Sequence, residues 1–192
     1  EMAYKKYKFN KNLLLDCDQE CEKIVAQLAD DSIPEKKLKS LARAKNQPLF
    51  NVRQYLYYIY GVDVTQIYGI KQTVALTILS ETGPNLKEKF PTLKQFLSWL
   101  NVVPDNKISG DKIIYSRMKK KKNNAGQAFR EAANTLWKSQ NPIGDYLRTK
   151  KSKSGSGQVL VSTAKKLATI FYKMVTEKVE FDPYILHGNR QD

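Results

Sequence analysis

Apolar side chains recur every three to four positions along most of this chain, which is the spacing of one face of an α-helix. Alternation of apolar and polar residues, which marks a half-buried strand, is scarce. The clearest helical patterns cover residues 3–28, 51–61, 126–140 and 158–178. We therefore predict an all-α fold.

The helical segments divide into an arm and a domain. We predict a helical coiled-coil arm and linker over residues 1–46, a compact multi-helix domain over 47–180 and a tail over 181–192. The stretch ADDSIPEKK breaks the first helix, and Pro34 behind Ser32 predicts the first turn of another. The Gly-, Ser- and Lys-rich stretch KKSKSGSG predicts a mobile loop before the last long helix.

The arm carries a seam of apolar and aromatic residues alternately three and four positions apart, as in a coiled coil. Its members are Ala3, Tyr7, Leu14, Cys17, Cys21, Ile24 and Leu28, with Asn10 at the remaining position. This pattern predicts a homo-oligomer held together through the arm. The alternative, a helix that packs on its own domain, stays open from the sequence alone.

The charge of the chain is strongly positive. Lysines and arginines number 33 against 19 aspartates and glutamates, a formal charge of +14 at pH 7. Such an excess indicates a polyanionic partner, with nucleic acid first and an acidic membrane surface second. No apolar run reaches the roughly 18 residues of a membrane span, and no secretory signal opens the sequence. We expect a soluble, cytoplasmic protein.

Few residues suit metal binding or acid–base catalysis. Cys17 and Cys21 lie four apart on the predicted first helix, where a disulfide would be strained, so we expect both to be reduced. The single histidine, His187, lies in the predicted tail. These residues disfavour both a protein-only zinc site and serine–histidine chemistry, and we predict no metal site.

The stretch DNKISGDKIIYSRMKKKKNN places one Ser-Gly pair ahead of a dense basic segment. One interpretation is a surface turn whose lysines keep the chain in solution. The other is a serine nucleophile held against a phosphodiester. The residues concerned are Ser109, Gly110, Lys112, Arg117, Lys119, Lys120, Lys121 and Lys122.

A second candidate for phosphate binding is the turn at residues 67–70, which precedes a helix and resembles a helix-hairpin-helix element. Such an element binds phosphate through backbone N–H groups at a glycine turn, here Gly69. Lys71 stands where that motif usually has a second glycine, and could supply charge instead. The four tyrosines of residues 55–60 are spaced as core residues, which we favour over base stacking. A solvated loop and a nucleic-acid contact both stay open for Lys150, Lys151 and Lys153.

Several blocks in order resemble the C-terminal transposase domain of the insertion sequence 110 family, the group that also includes insertion sequences 116 and 902. They are GVDVTQIYGI, TVALTILSETG, FPTLKQFLSWLNVVPDNKISG, the basic segment, FREAANTLW and STAKKLATIFYKMV. The resemblance runs from about residue 60 to 176, and the arm is similar to the end of the coiled coil that precedes this domain.

The resemblance implies a bacterial DNA recombinase in which a serine attacks a DNA phosphodiester and forms a transient covalent link. The matching serine is Ser109, followed by Gly110, and the basic segment with Arg130 would hold nucleic acid beside it. Asn123-Asn124 departs from the Gly-Asn pair that often closes the segment. The family also implies a structured guide RNA, and Mg²⁺ held by a RuvC-like domain rather than by this chain.

The acidic residues of the arm do not form such a metal site. Asp16, Asp18, Glu20 and Glu22 are two apart, so they fan around one helix. We therefore expect a fragment of a longer transposase that binds nucleic acid but does not cut DNA alone. Two alternatives stay open: a non-enzymatic helix-hairpin-helix module that binds DNA, and a piece whose coiled coil only dimerises.

Overall fold

The computed structural model describes residues 1–41, 47–110, 112–118 and 123–183. Its helices are α1 (Met2–Gln27), α2 (Val52–Tyr60), α3 (Gln72–Thr82), α4 (Leu86–Lys89), α5 (Leu93–Trp99), α6 (Asn124–Thr135), α7 (Pro142–Lys151) and α8 (Ser156–Glu177). Short 3₁₀ turns cover Val64–Gln66 and Leu136–Lys138, and two strands, β1 (Asp105–Ser109) and β2 (Lys112–Arg117), pair with each other. None of the described helices has the length and apolar character needed to cross a membrane.

The predicted helical class is confirmed, with a long first helix and a compact helical domain behind it. The sequence prediction missed three elements, the hairpin formed by β1 and β2 and the helices α4 and α7. The last long helix begins and ends close to its predicted bounds, at Ser156 and Glu177.

The core forms where α8 packs on α6 and on α5. Phe96, Phe129 and Phe171, one from each of these helices, are fully buried and contact each other through their rings. Burying each such side chain contributes about 1.5–3 kcal/mol to the free energy of unfolding. The apolar residues that repeat along the sequence are thus the residues whose contacts hold the domain together.

The tyrosines of α2 serve the core, as predicted. Tyr57 and Tyr60 are buried, and the Tyr60 ring meets Phe171 edge to face. The Tyr60 hydroxyl has no hydrogen-bond partner within the described part of the chain. In contrast, the buried hydroxyl of Tyr172 on α8 donates to the Phe90 carbonyl oxygen over 2.8 Å.

The end of α1 packs on the domain while its seam faces solvent. Val25 is buried, Asp18 accepts a hydrogen bond from the Leu49 amide over 3.1 Å, and Glu22 accepts one from Tyr55 over 3.0 Å. The seam residues Tyr7, Leu14 and Ile24 are 60%, 66% and 57% exposed. Cys17 and Cys21 are free thiols, also exposed. The seam is therefore uncovered from Tyr7 to Ile24, whereas Leu28 at its end is half-buried and packs against the core of the domain.

The predicted helix at Pro34 is wrong for the described residues, since the chain is irregular from residue 33 to 41. Side chains of α2 bind this backbone instead. Gln54 accepts from the Leu38 amide over 2.7 Å and donates to the Lys36 carbonyl over 2.8 Å, and Arg53 donates to the Lys39 carbonyl over 3.0 Å. These bonds satisfy the backbone groups that a helix would otherwise have paired.

One ion pair joins α2 to the turn that follows it. Arg53 donates to the Asp63 carboxylate from Nε over 2.8 Å and from Nη2 over 2.5 Å, and Asp63 also accepts from Thr65. Burial alone would raise the pKa of Asp63, but the hydrogen bonds from Arg53 and Thr65 outweigh it and lower that pKa. The carboxylate therefore favours the folded state in its charged form.

Candidate functional site

Ser109 lies at the tip of the β1–β2 hairpin. The strands are antiparallel, and Ser109 is paired with Lys112, so the connecting loop comprises only residues 110 and 111. Gly110 has φ of +57°, the left-handed conformation that the first loop position of the commonest tight hairpins requires. Ser109, Gly110 and Lys112 are all exposed. The Ser-Gly pair identified in the sequence thus lies in a solvent-exposed hairpin turn, with a lysine paired to the serine.

The hairpin carries a bulge that changes its twist. Lys107 is paired with Tyr115 and Ile108 with Ile113, which leaves Ile114 as the extra residue on β2. Ile114 is 71% exposed and Tyr115 44% exposed. Because Ile114 at the bulge and Tyr115 beside it are both exposed, this part of the hairpin does not pack into the helical core.

The two ends of the hairpin segment are held close together by polar contacts. Arg130 on α6 donates to the Asn101 carbonyl over 2.6 Å. Asn123 donates from Nδ2 to the Trp99 carbonyl over 3.0 Å, and its Oδ1 accepts from the Gly126 amide over 2.7 Å. One side chain therefore caps α6 and ties it to the end of α5.

Close backbone packing at Gly126 completes this base. A Cβ atom at Gly126 would lie 2.1 Å from the Leu100 carbonyl oxygen, so only glycine fits there. Asn124 adds a bond of 2.7 Å to Glu81 at the end of α3. The base of the hairpin is therefore fixed by packing and hydrogen bonds, whereas its tip is exposed to solvent.

Arg130 has a structural contact that the sequence did not reveal. It is half-buried, and desolvation by that burial lowers the pKa of its guanidinium. Its bond to the Asn101 carbonyl places the predicted nucleic-acid residue at the base of the hairpin. Its role toward nucleic acid stays a prediction. Asn123, Asn124 and Gly126 were not predicted as site residues, although an Asn just before an apolar helical run is a typical N-cap.

Gly69 and Lys71 lie at the other end of the α3–α6 pair. Gly69 has φ of +81°, and a Cβ there would lie 2.6 Å from the Ala132 carbonyl oxygen. Since Asn124 contacts the end of α3 and Ala132 contacts the turn before it, the two helices are antiparallel. At 1.5 Å per residue, roughly 12 Å of helix separates the two contacts. Lys71 is exposed and precedes α3.

The remaining basic segment is only partly described. Arg117 ends β2, while Lys119, Lys120, Lys121 and Lys122 lie outside the described residues. The structure therefore brings Ser109, Gly110 and Lys112 together at one tip, with Arg130 at its base and Gly69 and Lys71 elsewhere.

Nothing in the described part of the chain equips Ser109 with a base or a metal. No described side chain hydrogen-bonds its hydroxyl, and no group of three His, Cys, Asp or Glu residues there could hold a metal ion.

Comparison with known proteins gives a family for the segment that contains this hairpin. Residues 63–148 match the model of the transposase IS116/IS110/IS902 family. Over this segment, which is somewhat less than half of the chain, the protein is similar to the transposase domain of that family. The segment includes the whole α3–α6 pair, the hairpin and most of α7. No curated protein matches the chain.

The match has a direct consequence for the biological role. A domain of this family belongs to DNA transposition and recombination, which makes DNA the implied partner. The resemblance found from the sequence blocks is thereby confirmed. The role of each residue within the transposase domain is a separate question.

Proposed function

We propose that this transposase domain delivers Ser109 to a DNA phosphodiester as the nucleophile of recombination. The observation that supports it is the place of Ser109, exposed at the glycine turn of a hairpin within the matched segment. A serine buried in the core would not reach a phosphate. Here the two-residue loop leaves the hydroxyl accessible from the solvent side.

The proposed step exchanges one ester bond for another. Ser109 Oγ attacks phosphorus, and a phosphoserine bond forms as the bond from phosphorus to one deoxyribose oxygen breaks. The serine proton is released and the departing oxygen takes up a proton. Because the reaction exchanges esters of similar energy, the intermediate can be reversed or passed to a second strand.

Charge on the hairpin supports binding of the scissile strand. Lys112 is paired with Ser109, and the basic stretch continues from Arg117 through Lys119–Lys122. Lysines of this kind contact phosphates without reading the bases. Selection of the site by a structured guide RNA agrees with such sequence-independent contacts. The Mg²⁺ expected for this chemistry does not fit the described residues, and would be bound outside them.

A second candidate function is DNA binding through the turn at Gly69, without catalysis. The left-handed conformation of Gly69 and the exposed lysine that follows it favour this reading. However, Gly69 packs on the Ala132 carbonyl, and this packing opposes a close approach of phosphate to Gly69 itself. The candidate predicts that replacing Lys71 weakens DNA binding, while replacing Ser109 changes nothing.

The exposed seam of α1 supports a homo-oligomer. Tyr7, Leu14 and Ile24 lie on one stripe that the domain does not cover. Leu14→Glu combined with Ile24→Glu should convert the oligomer to a monomer in sedimentation, because both charges would enter the seam. Leu13→Glu, at an exposed residue beside the seam, is the control. An unchanged sedimentation coefficient in the double variant would refute the seam.

The test of the nucleophile compares three forms of the transposase that contains this domain: wild type, Ser109→Ala and Lys112→Gln. The variant Ser109→Ala should abolish recombination while retaining DNA binding, since one hydroxyl contributes little to a multi-phosphate contact. Lys112→Gln should retain the chemistry and weaken binding. If Ser109→Ala recombines at the wild-type rate, Ser109 is a turn residue and the DNA-binding candidate is favoured.

A further inference from the structure

A groove between α7 and α8 holds a cluster of lysines and hydroxyl groups far along the chain from the hairpin. Its volume is about 580 Å³. On α8, Ser162, Lys166 and Lys173 project from one stripe, spaced by four and seven residues. Tyr146 and Lys150, one turn apart on α7, face them across the groove.

Three polar groups meet at the end of this groove nearest α7. The Lys150 ammonium donates to Ser162 Oγ over 2.5 Å and to the Tyr146 hydroxyl over 3.1 Å, and the two hydroxyls are 2.8 Å apart. The Lys166 ammonium lies over the Tyr146 ring, 4.2 Å from its centroid. All four side chains are half-buried, so they are held rather than fully solvated.

The cluster has more hydrogen-bond donors than acceptors. A lysine ammonium carries three N–H groups and each hydroxyl one O–H, while the three contacts use only three of these five protons. One ammonium proton and one hydroxyl proton thus remain available to donate to a ligand. No described carboxylate forms an ion pair with Lys150 or Lys166. An oxyanion is the ligand that such a set of donors suits.

The electrostatics of Tyr146 point the same way. Partial burial opposes its ionisation, but hydrogen bonds with Ser162 and Lys150 and the positive charges of Lys150 and Lys166 outweigh it and lower the Tyr146 pKa. A field that favours a phenolate also favours an anion beside it. The carboxylates that line the groove, Glu177, Glu180 and Asp182, lie at the other end of α8 or beyond it. Glu177 is eleven residues beyond Lys166, about 16 Å along the helix.

We propose that Tyr146, Lys150, Ser162 and Lys166 form a second phosphate site, which grips a backbone phosphodiester of nucleic acid away from the hairpin. The cluster is compact, and would take one or two phosphates of a strand running past the α7–α8 groove. This inference rests on the proposed function in one respect, that the partner is nucleic acid. It adds an anchoring contact that involves neither Ser109 nor the basic segment.

The test measures binding of the complete 192-residue chain to a DNA duplex and to an RNA hairpin at several salt concentrations. The test variant is Lys150→Gln with Lys166→Gln. Each lost phosphate contact should reduce the salt slope of log K by about 0.9 on duplex DNA, so the double variant should lose about 2. If the electrostatic part vanishes near 1 M salt, this corresponds to roughly 60-fold weaker binding at 0.1 M.

The matched control is Lys87→Gln with Lys94→Gln, which removes the same charge from exposed lysines elsewhere. It should leave the slope near wild type. A charge-neutral variant, Tyr146→Phe with Ser162→Ala, should weaken binding several-fold at every salt concentration without changing the slope. Thermal unfolding of each variant separates lost contacts from lost structure.

Each outcome has one meaning. A loss on both nucleic acids supports a backbone contact common to DNA and RNA, and a loss on one names the strand that the site holds. Equal slopes for the test and control variants would overturn the second site, because net charge alone would then explain binding. If the wild-type chain binds neither nucleic acid at low salt, both the second site and the nucleic-acid partner of the proposed function are overturned, whereas unchanged slopes overturn the site alone.

Discussion

Replacing Asn123 tests directly whether polar contacts hold the base of the hairpin together. Its side chain makes two bonds, one from Gly126 N that caps α6 and one to the Trp99 carbonyl. Loss of an N-cap costs about 1 kcal/mol, and loss of a further half-buried hydrogen bond about 1 kcal/mol more. Asn123→Ala should therefore lower the free energy of unfolding by about 2 kcal/mol.

Two further variants separate the two bonds. Asn141 caps α7 in the same way, accepting from the Gly144 amide over 2.8 Å. Asn141→Ala should therefore cost only the cap, about 1 kcal/mol. Asn123→Ser keeps an acceptor for the cap but is too short to donate to the Trp99 carbonyl, and should fall between wild type and Asn123→Ala.

The assay is urea unfolding followed by circular dichroism, with thermal unfolding in parallel. For a chain of this size, 1 kcal/mol corresponds to about 2–4 °C in Tm. Asn123→Ala should thus melt about 4–8 °C below wild type, and Asn141→Ala about 2–4 °C below. If the two alanine variants are equally stable, the bond to Trp99 contributes nothing, and the hairpin base is not clamped as described.

Three other predictions concern the helical domain. Gly69→Ala should destabilise about 2 kcal/mol more than Gly110→Ala in urea unfolding, because both positions have positive φ but only the first creates a clash. Tyr172→Phe should cost about 1 kcal/mol, while Tyr60→Phe should be neutral or stabilising, because only the Tyr172 hydroxyl is paired; equal losses would contradict this. Asp63 has a lowered pKa, so its contribution is present above about pH 4 and is lost as pH falls through the folded value. Asp63→Asn should flatten the acid side of the stability–pH curve. An unchanged curve would show that Asp63 does not contribute to the pH dependence of stability.

The helices could be predicted because the apolar residues that repeat at helical spacing in the sequence are also the residues that pack into the core. Phe129, Ala132 and Leu136 repeat at three and four residues, and the structure buries each of them. The helix α7 was missed although Asn141 and Pro142 are a typical N-cap and first-turn pair. Its apolar face is short, with Ile143 and Leu147 as its large buried residues, so the periodic pattern is weak.

The hairpin was missed for a different reason. Its bulge at Ile114 breaks the period of two, so Ile113, Ile114 and Tyr115 stand together as an unpatterned apolar run. The Ser-Gly turn was identified, yet its place at a hairpin tip depends on a pairing register that single residues do not encode. A Gly-Asp pair between two short β-type runs was the available indication.

The polar contacts of the site depend on tertiary structure. Arg130 is a basic residue in the sequence, and only the fold shows that it binds the Asn101 carbonyl. Likewise, the sequence predicts a loop at Lys150 and a solvated helix face at Lys166, and only the fold shows that both contact Tyr146. The residue types in the sequence indicate which chemistry is available, whereas helix packing determines which side chains contact each other.

The most direct measurement is detection of a covalent link between the transposase that contains this domain and its DNA. A reaction with labelled DNA is stopped in denaturant, digested with protease and analysed by mass spectrometry for a nucleotide on the peptide that carries Ser109. We predict the adduct on Ser109 in the wild type and its absence in Ser109→Ala, with DNA binding retained in both. Recombination that proceeds in Ser109→Ala, or an adduct on another residue, would contradict the proposal that Ser109 is the nucleophile.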